Sequence, residues 1–104
     1  MAHDVTLRPA ALGDLTAIYN WVANQSDPAT AQVYRERLLA ACTSLQDFPS
    51  RGSMREDLAP GVRTISFEGR AVIAYLVGDG AVDILRIFHH GRDVSRAFSD
   101  DDPG

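Results

Sequence analysis

Between Val62 and His90 the chain carries three apolar runs, VRTISF, RAVIAYLV and VDILRIFHH, with Glu68-Gly69 and Gly78-Asp79-Gly80 in the breaks between them. Breaks this short and this rich in glycine act as hairpin turns, so the runs predict an antiparallel meander with strands at 62–67, 70–77 and 82–90. The middle run is apolar at nearly every position, the pattern of a strand covered on both faces. One face needs a packing layer from elsewhere in the chain, and something must shield the other.

The packing layer lies upstream. From Pro9 to about Asn24, Ala11, Leu15, Ile18 and Val22 recur at spacings of four, three and four, which lines one face of a helix. Pro9 is tolerated in its first turn, and Gly13 weakens the helix without breaking it. After the turn NQSDP, Asp27 reads as an N-cap and Pro28 as the first residue of a second helix. The core face of that helix is Ala31, Tyr34, Leu38, Ala41 or Cys42, Leu45 and Phe48, and Pro49 forces the stop. So short a turn makes the pair an antiparallel hairpin with a shared apolar seam. A short strand, His3 to Arg8, precedes it and ends at Pro9. PSRGSMREDLAPG, between hairpin and meander, predicts a loop of about a dozen residues, long enough for a binding role. The expectation is one α+β domain over residues 1–104, in the order β-α-α-β-β-β, with an antiparallel sheet packed on the N-terminal helix hairpin and a flexible acidic tail over about 97–104.

Cys42 is the single cysteine and cannot form an internal disulfide, and the N-terminus joins no basic segment to an apolar one. A cytoplasmic location is therefore expected. No apolar run reaches the roughly 18–20 residues that span a bilayer, so no membrane partner is expected. The formal net charge is −4, the ten basic residues are all arginine, and seven of them lie between Arg51 and Arg96. An acidic chain gains little from counterion release on nucleic acid, which argues against direct sequence-specific DNA binding and leaves a local arginine patch.

The stretch ILRIFHHGRD, 84–93, holds the residues best suited to chemistry. Strand alternation puts Ile84, Arg86, Phe88 and His90 on one face and Leu85, Ile87 and His89 on the other. Histidine and arginine suit proton transfer and stabilisation of phosphate charge. A histidine at a strand end is more commonly a hydrogen-bonded rim residue, and arginines on a sheet face pair with carboxylates, here Glu68 or Asp93, or with a partner's acidic segment. His3, Cys42, His89 and His90 make no metal site, since adjacent strand histidines face opposite ways and Cys42 packs inward. Burial in an apolar seam keeps Cys42 protonated and inert. Gly78-Asp79-Gly80 lacks the helix that a phosphate loop requires, so no cofactor is expected. Tyr19 and Trp21 read as the edge of the core, with contact to a partner as the other reading.

Taken together, ALGDLTAIYNWV, AQVYRERLLAACTSLQDFPSRGSMREDLAPGVR, GRAVIAYLV and ILRIFHHGRD resemble, over roughly residues 5–93, the ParE branch of the RelE/ParE toxin superfamily of bacterial type II toxin–antitoxin and plasmid-stabilisation modules. That resemblance implies a toxin that inhibits DNA gyrase by binding, catalyses nothing itself and is neutralised by a ParD-like antitoxin in a hetero-oligomer. It leaves two alternatives: a RelE-like ribosome-dependent mRNA endoribonuclease, whose candidate set would be Arg63, Arg70, Arg86 and His90, and a degenerate non-toxic member that keeps antitoxin binding. The missing lysines, and the lack of a tyrosine near the C-terminus to stack on a base, depart from the ribonuclease pattern. The expected target- or antitoxin-binding residues are Arg55, Arg63, Arg70, Arg86, His90, Arg92 and Arg96. The doubly apolar central strand predicts a groove for an amphipathic antitoxin segment.

Overall fold

The computed structural model describes residues 3–89 and Phe98. Its elements are β1 (Asp4–Leu7), α1 (Pro9–Gln25), α2 (Pro28–Thr43), β2 (Ser53–Met54), β3 (Arg63–Phe67), β4 (Ala71–Gly78) and β5 (Ala81–His89), with a short 3-10 turn, Ser44–Gln46, extending α2. His90, Arg92 and Arg96, and the tail apart from Phe98, lie outside the described residues.

The helix hairpin forms as its punctuation predicts. Pro9 opens α1, and Asp27 caps α2 by accepting the Thr30 N–H at 2.8 Å, with Pro28 in the first turn. Ala11, Leu15 and Ile18 of α1 and Ala31, Tyr34, Leu38 and Cys42 of α2 are buried, so the apolar seam is the expected one. α2 ends earlier than Pro49 would force it to. Phe48 accordingly lies past the helix and is 67% exposed, a correction to the core face extended to it from spacing alone.

The sheet has the order β1-β5-β4-β3-β2. β3, β4 and β5 form the antiparallel meander, and β1 adds to β5 in parallel, Asp4 opposite Ala81 through Leu7 opposite Ile84, so the five-stranded sheet is mixed. The loop contributes β2, two residues paired antiparallel to β3. Gly52 makes that approach possible: its φ is +88°, and a Cβ there would lie 2.5 Å from the Thr64 carbonyl oxygen.

A bulge changes the side-chain phase of β5. Tyr75 pairs with Ile84 but Ala74 pairs with Arg86, so Leu85 is the extra residue. Simple alternation places Ile84 with Phe88 and Leu85 with Ile87; the bulge separates both couples. Ile84 and Ile87 pack with the helices, whereas Leu85 and Phe88 join Val62, Ala74 and Phe98 on the far face. That far face is shielded from within the chain, by Leu58 and Ala59 of the loop and by Phe98. The shield expected for β4's second face therefore does not have to come from a partner. No described helix is long and apolar enough to cross a membrane.

Candidate partner-binding site

The predicted arginines among the described residues, Arg55, Arg63, Arg70 and Arg86, do not converge. Arg86 is 5% exposed, and its Nε and Nη2 each donate to an Asp14 carboxylate oxygen at 2.7 Å. Asp14 also accepts the Ile87 N–H at 2.9 Å. β1 ends opposite Ile84, so beyond it this carboxylate takes the place of the strand that β5 lacks. The Arg86 guanidinium also lies 5.2 Å from the Phe88 ring centroid. Among the described residues its ion-pair partner is Asp14 on α1 rather than the Glu68 considered from sequence, and Asp93, the other carboxylate considered, lies outside the described residues.

Arg63 shares its row with Tyr75 and Ile84, the helix-facing side, and donates to the Ser50 carbonyl at 3.0 Å. Burial pushes the nearby Tyr75 hydroxyl's pKa up, with Arg63 and Arg51 opposing; that hydroxyl donates to the Arg51 carbonyl. Arg55 forms a fork with Asp57 at 2.9 Å on both arms. Among the described residues, no three His, Cys, Asp or Glu side chains gather as metal ligands would. Cys42 sits in the seam with burial pushing its thiol up to about 11, so it is no nucleophile at neutral pH.

Arg70 belongs to a different place, a pocket of about 810 Å³ where the helix hairpin overhangs the ends of β4 and β5. Its wall is Val22, Ala29, Val33 and Tyr34 from the helices. Trp21, 41% exposed, stands at the rim with its ring centroid 5.3 Å from that of His89, edge to face. Tyr34 meets His89 at 5.8 Å and Phe67 at 5.6 Å, also edge to face. The bulge explains His89: with Leu85 extra, the histidine turns to the helix side and closes an aromatic corner. Trp21 is thus neither core nor isolated surface.

Across the mouth, Arg37 forks onto Glu68, its Nε donating at 2.9 Å and its Nη2 donating to the second oxygen. The Arg37 guanidinium also lies 5.7 Å from the Tyr34 ring centroid. The Tyr34 hydroxyl is buried beneath without a hydrogen-bond partner among the described residues. Its pKa is raised, first by burial and then by the Glu68 carboxylate, while Arg70 and Arg37 pull it down. Sequence reasoning placed Tyr34 in the core and overlooked Arg37. The available signal was its position one helical turn after Tyr34, on the same face of α2.

The comparisons agree with this architecture. Residues 5–94 match the family model described as the ParE toxin of the type II toxin–antitoxin system parDE. A toxin named RelE2 from Caulobacter vibrioides is 39% identical over 79% of this chain and 89% of its own length. One named ParE3 from the same organism is 33% identical over 84% and 85%. A chain from a chromosomal ParDE toxin–antitoxin system of P. aeruginosa superposes with a TM-score of 0.75 at 26% identity, covering 86% of this chain and 97% of that one. Two helices over a five-stranded mixed sheet, matched along nearly their whole length by these relatives, make this chain a member of the ParE toxin family of type II toxin–antitoxin systems.

Proposed function

We propose that this toxin acts by binding DNA gyrase, as the ParE resemblance implies, and is neutralised by an antitoxin seated partly in the pocket beneath the hairpin. The relatives carry both ParE and RelE names, so names alone do not choose between gyrase binding and messenger cleavage. The observation that carries the choice is Arg86. Phosphoryl transfer needs a cation open to the substrate and aimed at its developing charge. Arg86 has both arms of its fork engaged by Asp14 and is closed to solvent. Of the other residues the ribonuclease set would need, Arg63 is engaged by Ser50 on the helix side and Arg70 lies in the overhung pocket.

Antitoxin binding is supported by the P. aeruginosa relative, whose structure is that of a ParDE system, and by a pocket that combines an apolar wall with arginine. Releasing the toxin in cells tests the reading. Loss of negative supercoiling, double-strand breaks and a DNA-damage response are expected while messengers stay intact at early times. Rapid cleavage of translated messengers at codon positions, with supercoiling unchanged, would overturn it in favour of a RelE-like ribonuclease.

A further inference from the structure

We infer that Glu68 is an internal stand-in for a carboxylate of the partner, occupying the Arg37 fork until an acidic, apolar segment displaces it. The inference rests on the antitoxin-neutralised reading above and specifies how that pocket sets its affinity.

Four observations carry it. Glu68 has a φ of 52°, and among the described residues it is the one non-glycine in the left-handed region. With Gly69 at 68°, it forms the two central residues of the turn that the Arg70 N–H closes by donating to the Phe67 carbonyl at 3.0 Å, where asparagine, aspartate or glycine would sit with less strain. A glutamate at that position is explained by its reach to Arg37 on α2, thirty-one residues away in sequence. Beneath the fork, the Tyr34 hydroxyl is buried with no partner among the described residues, a polar group left waiting for one.

The third observation is charge. Arg37 and Arg70 both line the pocket, with Glu68 as its one carboxylate among the described residues, and among these Arg70 makes no ion pair or side-chain hydrogen bond. The site is one anion short. The fourth is the apolar wall of Val22, Ala29 and Val33, with Val33 52% exposed. An aspartate or glutamate beside an aliphatic residue on an incoming segment matches both: its carboxylate takes Arg70 and then Arg37, and its neighbour covers the valines. Glu68 can yield because its side chain is 39% exposed at a turn tip, where an ion pair is worth little and is readily exchanged for another. A nucleotide would find aromatic edges and arginines here too, but it would meet the Glu68 carboxylate and leave the aliphatic wall bare.

Trp21, the protein's one tryptophan, reports on occupancy from the pocket rim. The probes are a synthetic helical peptide bearing leucines and glutamates on one face, its glutamine counterpart, and ATP. For the full chain, Glu68→Gln should tighten the glutamate peptide about three- to fivefold, and Arg70→Ala should weaken it by a similar factor. Adding Arg37→Ala to Glu68→Gln should erase the gain, because the vacated fork is then missing. The glutamine peptide should bind more weakly than the glutamate one and be indifferent to Glu68→Gln. Unchanged or weaker binding in Glu68→Gln, or displacement of the peptide by ATP at lower concentration than the peptide itself requires, overturns the inference. Arg70 is exposed, so its variant keeps the test decisive if the turn variant folds poorly. The same substitutions against the antitoxin encoded beside the toxin separate the two claims. Neutralisation without any Glu68 dependence removes the stand-in and leaves the function; peptide binding with the Glu68 dependence, but no neutralising partner, removes the function and leaves the stand-in.

Discussion

Arg86 and Asp14 meet with 6% and 11% of their side chains exposed; Arg37 and Glu68 meet with 51% and 39%. Both pairs are two-armed forks, and both tie a helix to the sheet region. Burial separates their roles. Around Arg86 there is little water to take over either charge, so each depends on the other and the fork is part of the fold. Around Arg37 water competes for every hydrogen bond, so the fork costs little to open and can be traded for another carboxylate. The same pair of residue types is thus a fastener in one place and an exchangeable contact in the other.

The strongest way to break that contrast is Asp14→Ala. It strips the buried Arg86 of its two-armed fork and removes the acceptor of the Ile87 N–H, and loss of one partner of a buried pair costs about 3–5 kcal/mol. For a domain with a total stability of about 5–15 kcal/mol, much of the native population is at stake. Urea denaturation should show a midpoint far below wild type. Replacing both partners with apolar residues, Asp14→Leu with Arg86→Met, should recover most of the loss, because no lone charge then stays buried. A double variant as unstable as Asp14→Ala would mean that the fork itself, and not the buried charge left by removing one partner, carries the energy.

Asp14 also shows what could and could not be read from sequence. The hairpin, the meander and most of the core followed from periodicity and punctuation, because each depends on residues close together in the chain. Ala11, Asp14, Leu15 and Ile18 lie on one stripe of α1, so a carboxylate on the core face was visible as an anomaly. Its partner was not, since Arg86 lies 72 residues away and meets it only after β1 ends and β5 bulges. The bulge was equally hidden: one extra residue in β5 arises from pairing with β4, and alternation along one strand holds no trace of it. The parallel docking of β1 on β5 is long-range in the same sense. The pocket's residues come from α1, α2, the β3–β4 turn and the end of β5, so no single motif announced it.

Cys42 turns the comparison into a rate. Its thiol is fully buried in the seam, with burial raising its pKa to about 11, so a thiol reagent at neutral pH labels it through opening of the hairpin. If opening follows the stability lost in Asp14→Ala, labelling should accelerate about a hundredfold or more, since each 1.4 kcal/mol is a factor of ten. Glu68→Gln should leave labelling within about fivefold of wild type, because an exposed pair contributes about 0–1 kcal/mol. Equal acceleration in the two variants would erase the distinction between fastener and exchangeable contact. Glu68→Gln should also lose its small effect as salt is raised, whereas the Asp14→Ala loss should persist, since screening reaches an exposed pair far more than a buried one.

The smallest expected effect concerns a carboxylate with no arginine at all. Asp27 is fully exposed and caps α2, and the Thr30 N–H it accepts, followed by the Thr30 hydroxyl, holds its pKa below the ordinary 3.8. A carboxyl whose pKa is lower in the folded state stabilises fully above its unfolded value and loses that contribution as pH falls through the folded one. The cap's pH-dependent part should therefore be constant from neutral pH down to the region of 3.8 and fade below it. In an Asp27→Asn variant the side-chain amide oxygen would accept the same hydrogen bond without titrating. The stability difference between wild type and this variant, measured by thermal melts across acid pH, should stay level above that point and shift toward the variant beneath it. A difference that stays level well below 3.8 would mean that the Thr30 contact does not hold in solution and that the turn between the helices closes by packing alone.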